Sequence, residues 1–180
     1  DEVLAQCSRI TFDGDQEAEV TLQDKSLGLA VLTPKTALSP MAHASLQTVA
    51  PRLNSEIAIA GFSYEDALDS PVVTFGALAD TSGLSGETTL NRLALSALPG
   101  DAGGPVFDNA GSVIGMLLPR KSGGKVLPED VNFALQSSEI ANALASAGIA
   151  ATPSSRQGAI AAEDLTRLAM DMTVKVSCWK

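Results

Sequence analysis

Few residues in this chain can do chemistry. It has one histidine, His43, and two cysteines, Cys7 and Cys178, near opposite ends. A cysteine or serine nucleophile needs a base within hydrogen-bond reach, and neither cysteine stands in a context that supplies one. Two cysteines and one histidine also fall short of a zinc set, so no metal and no cofactor is expected. The strongest local signal is Gly100-Asp101-Ala102-Gly103-Gly104-Pro105, a carboxylate set among glycines and closed by a proline. Gly-Gly-Pro alone makes ordinary turns. At the centre of the segment Ala102 offers a methyl group, which has no nucleophilic atom.

The residues beyond Pro105 make the reading specific. Gly100 to Leu118 reads GDAGGPVFDNAGSVIGMLL: an apolar pair, Val106-Phe107, then turn chemistry at Asp108-Asn109-Ala110-Gly111, then a second strand over 112–118. The run resembles the nucleophile loop and adjoining hairpin of bacterial trypsin-like serine proteases, G-x-S-G-G-P and a V-I-G strand. The resemblance implies that Ala102 stands where the attacking serine belongs. It also implies that the N–H groups of Gly100 and Ala102 are the oxyanion-hole donors. Ser96 falls where relatives place the base of the specificity pocket, which suits an uncharged side chain.

The other two triad positions come from the same resemblance. Relatives carry A-x-V-x-x-D-x-x-x-D-L-A-L-L, whose last aspartate orients the catalytic histidine. Anchored on its closing apolar residues, the run from Ala18 to Leu32 puts Asp24 on the first aspartate and Gly28 on the orienting one. Ala18 and Val20 are then one residue out of register. Glu2-Val3-Leu4-Ala5-Gln6-Cys7 is similar to H-V-V-x-x-C, with Glu2 at the histidine. His43 lies downstream of the orienting acid, the wrong order for this family's base, and reads as a loop histidine. The triad positions Glu2, Gly28 and Ala102 therefore hold no intact member.

The elements that must position these residues are strands. Hydrophobic residues make up 45% of the 180 and charged residues 18%, enough for a sizeable core. A net charge of −9 argues against nucleic acid or an anionic membrane as partner, and no apolar stretch is long enough to span a bilayer. Alternation and turn residues predict strands over 7–12, 18–22, 27–32, 56–62, 72–78, 91–97, 112–118 and 131–135. A helix is expected over 139–147, capped by Ser137 or Ser138 and stopped at Gly148. A second helix is expected over 163–172 and a last strand over 173–179. Residues 34–55 read as a connection between two bodies, and 151–162 as a linker.

The fold expected is all-β: a trypsin-like double β-barrel with its first barrel incomplete at the N-terminus, plus a C-terminal helix and strand. The parts are a partial N-terminal barrel over 1–50, a second barrel with the nucleophile loop over 51–150, and residues 151–180 docking back on the N-terminal sheet. A barrel missing its opening strands exposes backbone edges, and 173–179 is the strand available to cover one. Val174, Val176 and Cys178 are expected on its buried side, with Lys175 and Ser177 outward. Cys7 and Cys178 would then form a disulfide, which fits a periplasmic or secreted protein; a free tail with two unrelated thiols is the other outcome.

The function expected is that of a catalytically inactive trypsin-like protease homologue that binds protein or extended peptide. The alternatives are a serine endopeptidase whose nucleophile was replaced by Ala102 and whose histidine lies in a missing upstream segment, or an assembly module with its groove closed.

Overall fold

The computed structural model describes residues 4, 6–39, 42–64, 67–120 and 126–180. In chain order the elements are β1 (Arg9–Phe12), β2 (Gln16–Asp24), β3 (Leu29–Pro34), β4 (Glu56–Gly61), β5 (Val72–Asp80), β6 (Leu90–Ala94), β7 (Pro105–Asp108), β8 (Val113–Leu117) and β9 (Val131–Gln136). Two helices, α1 (Ser137–Ser146) and α2 (Ala162–Met172), precede the last strand, β10 (Val176–Trp179). The structure is mostly β. Strands β4-β5-β6-β9-β8-β7 close into a barrel, and β10-β1-β2-β3 form an open four-stranded sheet.

The sequence of β4 explains why the barrel closes around it. Glu56–Gly61 alternates isoleucine with alanine, and Ile57, Ala58, Ile59 and Ala60 are all buried. The isoleucines join Leu78, Leu93, Val106, Ile114 and Leu117 in the barrel interior. The alanines join Phe107, Val113, Leu165 and Ala169 on the outer side, beneath α2. Each interior isoleucine contributes roughly 2–3 kcal/mol by burial, and the small alanines let a helix lie close against the strand. Leu46 is buried in that outer layer too, bridging Val113 and Pro153. The stretch over 34–55 is thus docked on the barrel at Leu46 rather than simply spanning two bodies.

A bulge in β2 decides which way the open sheet faces. Val20 pairs with Leu32 but Leu22 pairs with Val31, a register shift of one. Residues 31 and 32 point to opposite faces, so Leu22 turns to the side of Leu29, which packs with Leu135 and Ala143 of the second body. Val20 stays on the other face and is 43% exposed.

Helix α1 begins earlier than its serines suggested. Gln136 is its N-cap and makes no side-chain cap bond, its side-chain amide donating instead to the Thr81 and Leu90 carbonyls, while the Ser137 hydroxyl donates to the Gln47 carbonyl at 2.9 Å. Its C-terminal stop is Gly148, at φ +75°, with Ile149 N–H returning to the Leu144 carbonyl at 2.9 Å.

Strand β10 pairs antiparallel with β1, in register Arg9 with Trp179 through Phe12 with Val176. Cys7 and Cys178 are joined as a disulfide. Val176 and Cys178 pair with Phe12 and Ile10 and so share the face of the buried Ile10–Phe12–Ala18 cluster, as expected. The extent of cover differs, since Val174 is 43% and Val176 38% exposed while Lys175 and Ser177 are half-buried. The reason is the strand's place at the sheet edge. No strand lies beyond β10 to finish covering Val176, whereas Lys175 lies over the Phe62 ring.

Candidate active-site loop

The loop from β6 to β7 tightens into a single 3-10 turn over Pro99–Asp101. Proline suits the first position of such a turn, since its φ is already set and its missing N–H costs nothing there. Gly103 comes next but one, at φ +87°, a left-handed conformation that favours glycine. Gly104 then runs against β4 so closely that a Cβ on it would lie 2.0 Å from the Ala60 carbonyl oxygen. A Cβ on Gly61 would meet the Asp101 Cα at 2.6 Å. The glycine pattern of the motif is therefore a packing requirement in its own right.

Asp101 is turned inward and is only 2% exposed. Its Oδ1 accepts from the Ser63 hydroxyl at 2.5 Å and its Oδ2 from the Leu98 N–H at 2.8 Å. Burying a carboxyl is tolerable only with such partners. The Gly100 carbonyl accepts from Phe62 N–H at 3.2 Å, and Gly103 N–H donates to the Leu117 carbonyl at 2.8 Å. Both sides of the turn are thus tied to barrel strands or their ends. Ala102 sits exposed at the apex.

The Ala102 N–H donates to the Pro99 carbonyl at 3.2 Å, closing the 3-10 turn. In this conformation it is committed within the loop, so Gly100 and Ala102 do not present a pair of outward donors as an oxyanion hole requires. This departs from the arrangement expected from sequence, and the cause is the turn itself: an i to i−3 bond draws the amide back along the chain.

The remaining candidates lie apart from the apex of the loop. Gly28 has φ +68°, and a Cβ built on it would face Leu118 Cδ2 at 3.6 Å. Leu118 directly succeeds Leu117, whose carbonyl holds Gly103, so the structure brings Gly28 alongside the segment that supports the loop. Asp24 is taken up locally: its Oδ1 accepts from Ser26 Oγ at 2.6 Å, Ser26 N–H at 2.9 Å and Leu27 N–H at 3.1 Å. The Ser26 hydroxyl, then the Leu27 amide, hold its carboxyl below the usual aspartate range. Glu2 lies outside the described residues. His43 is exposed in the connection between β3 and β4, and Ser96 is exposed just after β6. Among the described residues, no group of three His, Cys, Asp or Glu side chains is placed to hold a metal ion. A cleft of about 400 Å³ lined by Leu46, Gln47, Ser137 and Ala151 includes none of residues 96–105.

A family model for the trypsin-like peptidase domain matches residues 2–116. The chain belongs to the trypsin-like peptidase family. Among solved structures, a serine-to-alanine mutant of Rv3671c from M. tuberculosis H37Rv, in its inactive form, superposes with a TM-score of 0.58. It is 22% identical over 75% of this chain and 67% of that one. The serine endoprotease from Yersinia pestis gives a TM-score of 0.59 at 19% identity, over 73% of this chain and 44% of that one. At these identities the likeness is one of trypsin-like fold. A curated relative, the uncharacterized protein y4bJ of Sinorhizobium fredii, is 27% identical over 168 residues. The match takes in 89% of this chain but 26% of that protein, so the chain spans about a quarter of its length.

Sequence reasoning overlooked Ser63, the buried partner of Asp101. A serine just past an apolar strand carries no local mark of that role; only the return of a loop 38 residues later gives it one.

Proposed function

We propose that this trypsin-like domain is catalytically inactive and binds a protein or extended peptide. One observation carries the reading: Ala102, with no nucleophilic atom, stands exposed at the apex of a loop that Asp101–Ser63, Gly100–Phe62 and Gly103–Leu117 hold to the barrel. Two further features support it. The Ala102 amide is spent on Pro99, and the orienting-acid position, Gly28, faces a leucine in a left-handed backbone. An aspartate there would be strained and would point at a methyl group.

A protease groove can retain affinity for extended chain without chemistry, since backbone pairing supplies the binding. Exposed Ser96 suits an uncharged side chain in such a ligand. The Cys7–Cys178 disulfide favours an oxidising compartment, periplasmic or extracellular.

The intact loop favours a second reading, an endopeptidase silenced at a single position. Ala102→Ser separates the two. Under our proposal neither the chain nor this variant is labelled by a fluorophosphonate probe or cleaves unfolded casein, and both bind casein saturably. Stoichiometric labelling or turnover by Ala102→Ser would establish the endopeptidase reading instead.

A further inference from the structure

The C-terminal segment is anchored unevenly. Helix α2 is fixed by Leu165 and Ala169, buried in the outer layer of the barrel, and the Thr173 hydroxyl bonds back to the Ala169 carbonyl at 2.7 Å. Strand β10 beyond it has four residues, all paired to β1. It is the edge of its sheet, and its valines and Trp179 are 38–44% exposed rather than buried. None of its residues is fully buried. Its hold is polar and directional: Ser8 N–H to the Trp179 carbonyl at 2.7 Å, Asp13 N–H to the Lys175 carbonyl at 2.9 Å, and Lys175 N–H to Asp13 Oδ1 at 2.9 Å. Trp179 Nε1 donates to the buried Thr11 hydroxyl at 2.9 Å, and Arg9 stacks on the Trp179 ring at 4.9 Å. The covalent tie is Cys7–Cys178, between two half-buried residues near the surface edge of the sheet.

We propose that β10 is a displaceable strand occupying an acceptor groove along β1, opened by reduction of Cys7–Cys178 and then available to an extended protein segment of the same chemistry. The groove's specificity is set by its present occupant. It takes a strand with an aromatic residue opposite Arg9, where Thr11 offers an acceptor, and a small polar residue opposite Thr11. The hinge is Thr173 to Lys175, between the anchored helix and the paired strand. The redox step needs a dithiol. One of its thiolates attacks a cystine sulfur, the S–S bond breaks and a mixed disulfide forms; the second thiol then displaces the remaining cysteine. Two electrons and two protons end on Cys7 and Cys178, and the dithiol leaves as a disulfide. With the tie gone, a short edge strand is the element with the least local stability.

This inference is independent of the reading of Ala102. The test uses the full chain and dithiothreitol. Trp179 is the only tryptophan, so its emission reports the strand directly. On reduction the emission should shift to the red and the amides of β1 should exchange about tenfold faster or more, while the far-ultraviolet sheet signal is retained. A fluorescein-labelled peptide of residues 173–180, with serine at the Cys178 position, should bind the reduced chain about tenfold tighter than the oxidised one. Cys178→Ser should reproduce both changes without reductant. Unchanged emission and exchange on reduction would overturn the proposal. So would loss of the sheet signal in step with reduction, or failure of the reduced chain to capture the peptide.

Discussion

The Ala102 amide donates to the Pro99 carbonyl at 3.2 Å, although the Ala102 side chain is open to solvent. An exposed residue with a committed amide is a specific and checkable combination. Hydrogen exchange should find the Ala102 amide protected, with the shallow temperature coefficient of a bonded N–H. An amide exchanging at the rate of an unstructured alanine would mean that the turn is open and the donor faces outward.

The approach of Gly104 to the Ala60 carbonyl should make Gly104→Ala severely destabilising. A Cβ 2.0 Å from a backbone oxygen cannot be relieved by turning a side chain, so a cost of about 3 kcal/mol or more is expected. Gly86→Ala is the comparison: at φ +85° with nothing within 4 Å of the added carbon, it should cost only the backbone strain, about 1–2 kcal/mol. Urea unfolding of the two variants measures the difference.

Replacing Asp101 by alanine should leave the Ser63 hydroxyl and the Leu98 N–H without their acceptor in a buried site. Each orphaned donor costs about 1–3 kcal/mol, so a loss of roughly 3 kcal/mol is expected, with Asp101→Asn milder because one oxygen is kept. Ser63→Ala should remove less than Asp101→Ala, since the carboxyl keeps its bond to Leu98. Equal losses would show that the two residues act only as a pair.

The open sheet carries a pH-sensitive ion pair. Lys35 Nζ lies 2.9 Å from Glu17 Oε2; the hydrogen bond and charge of Lys35 hold the Glu17 carboxyl below its ordinary value. The same contact raises Lys35 above its own. A depressed carboxyl contributes stability above its unfolded value and loses it as pH falls through the folded one. A raised amine contributes below its unfolded value and loses it as pH rises through the folded one. The pair should therefore support folding across the neutral range and fail at both extremes. Nuclear magnetic resonance titration of Glu17 checks this: Lys35→Met should move its midpoint upward, and no movement would show the ion pair to be open in solution.

Much of this protein is decided by local order along the chain. Gly103 needs a left-handed backbone that glycine supplies, and alternation over 56–61 makes a strand wherever that segment is placed. The turn from Asp108 to Gly111 closes a hairpin between neighbours, so Gly100 to Leu118 carries its own geometry and its own family resemblance. The mostly β character and the lack of a nucleophilic atom at Ala102 are legible for the same reason: both depend on residues near one another in sequence.

Tertiary structure decided what depends on distant partners. The Ser137 hydroxyl turned from capping α1 to the Gln47 carbonyl because 45–48 packs beside it. Leu46 left a segment that reads as linker and became core, since Val113 and Pro153 meet on either side of it. Val176 shares the covered face of Phe12 and Ile10 yet stays 38% exposed because β10 came to lie at a sheet edge, and alternation tells which residues share a face without telling how fully that face is covered. At the loop, the sequence determined that Ala102 cannot attack a carbonyl. That its amide is turned to Pro99, and that Gly28 looks at Leu118, result from how the turn and β3 seat against the barrel, where long-range packing chooses among conformations that are locally equivalent.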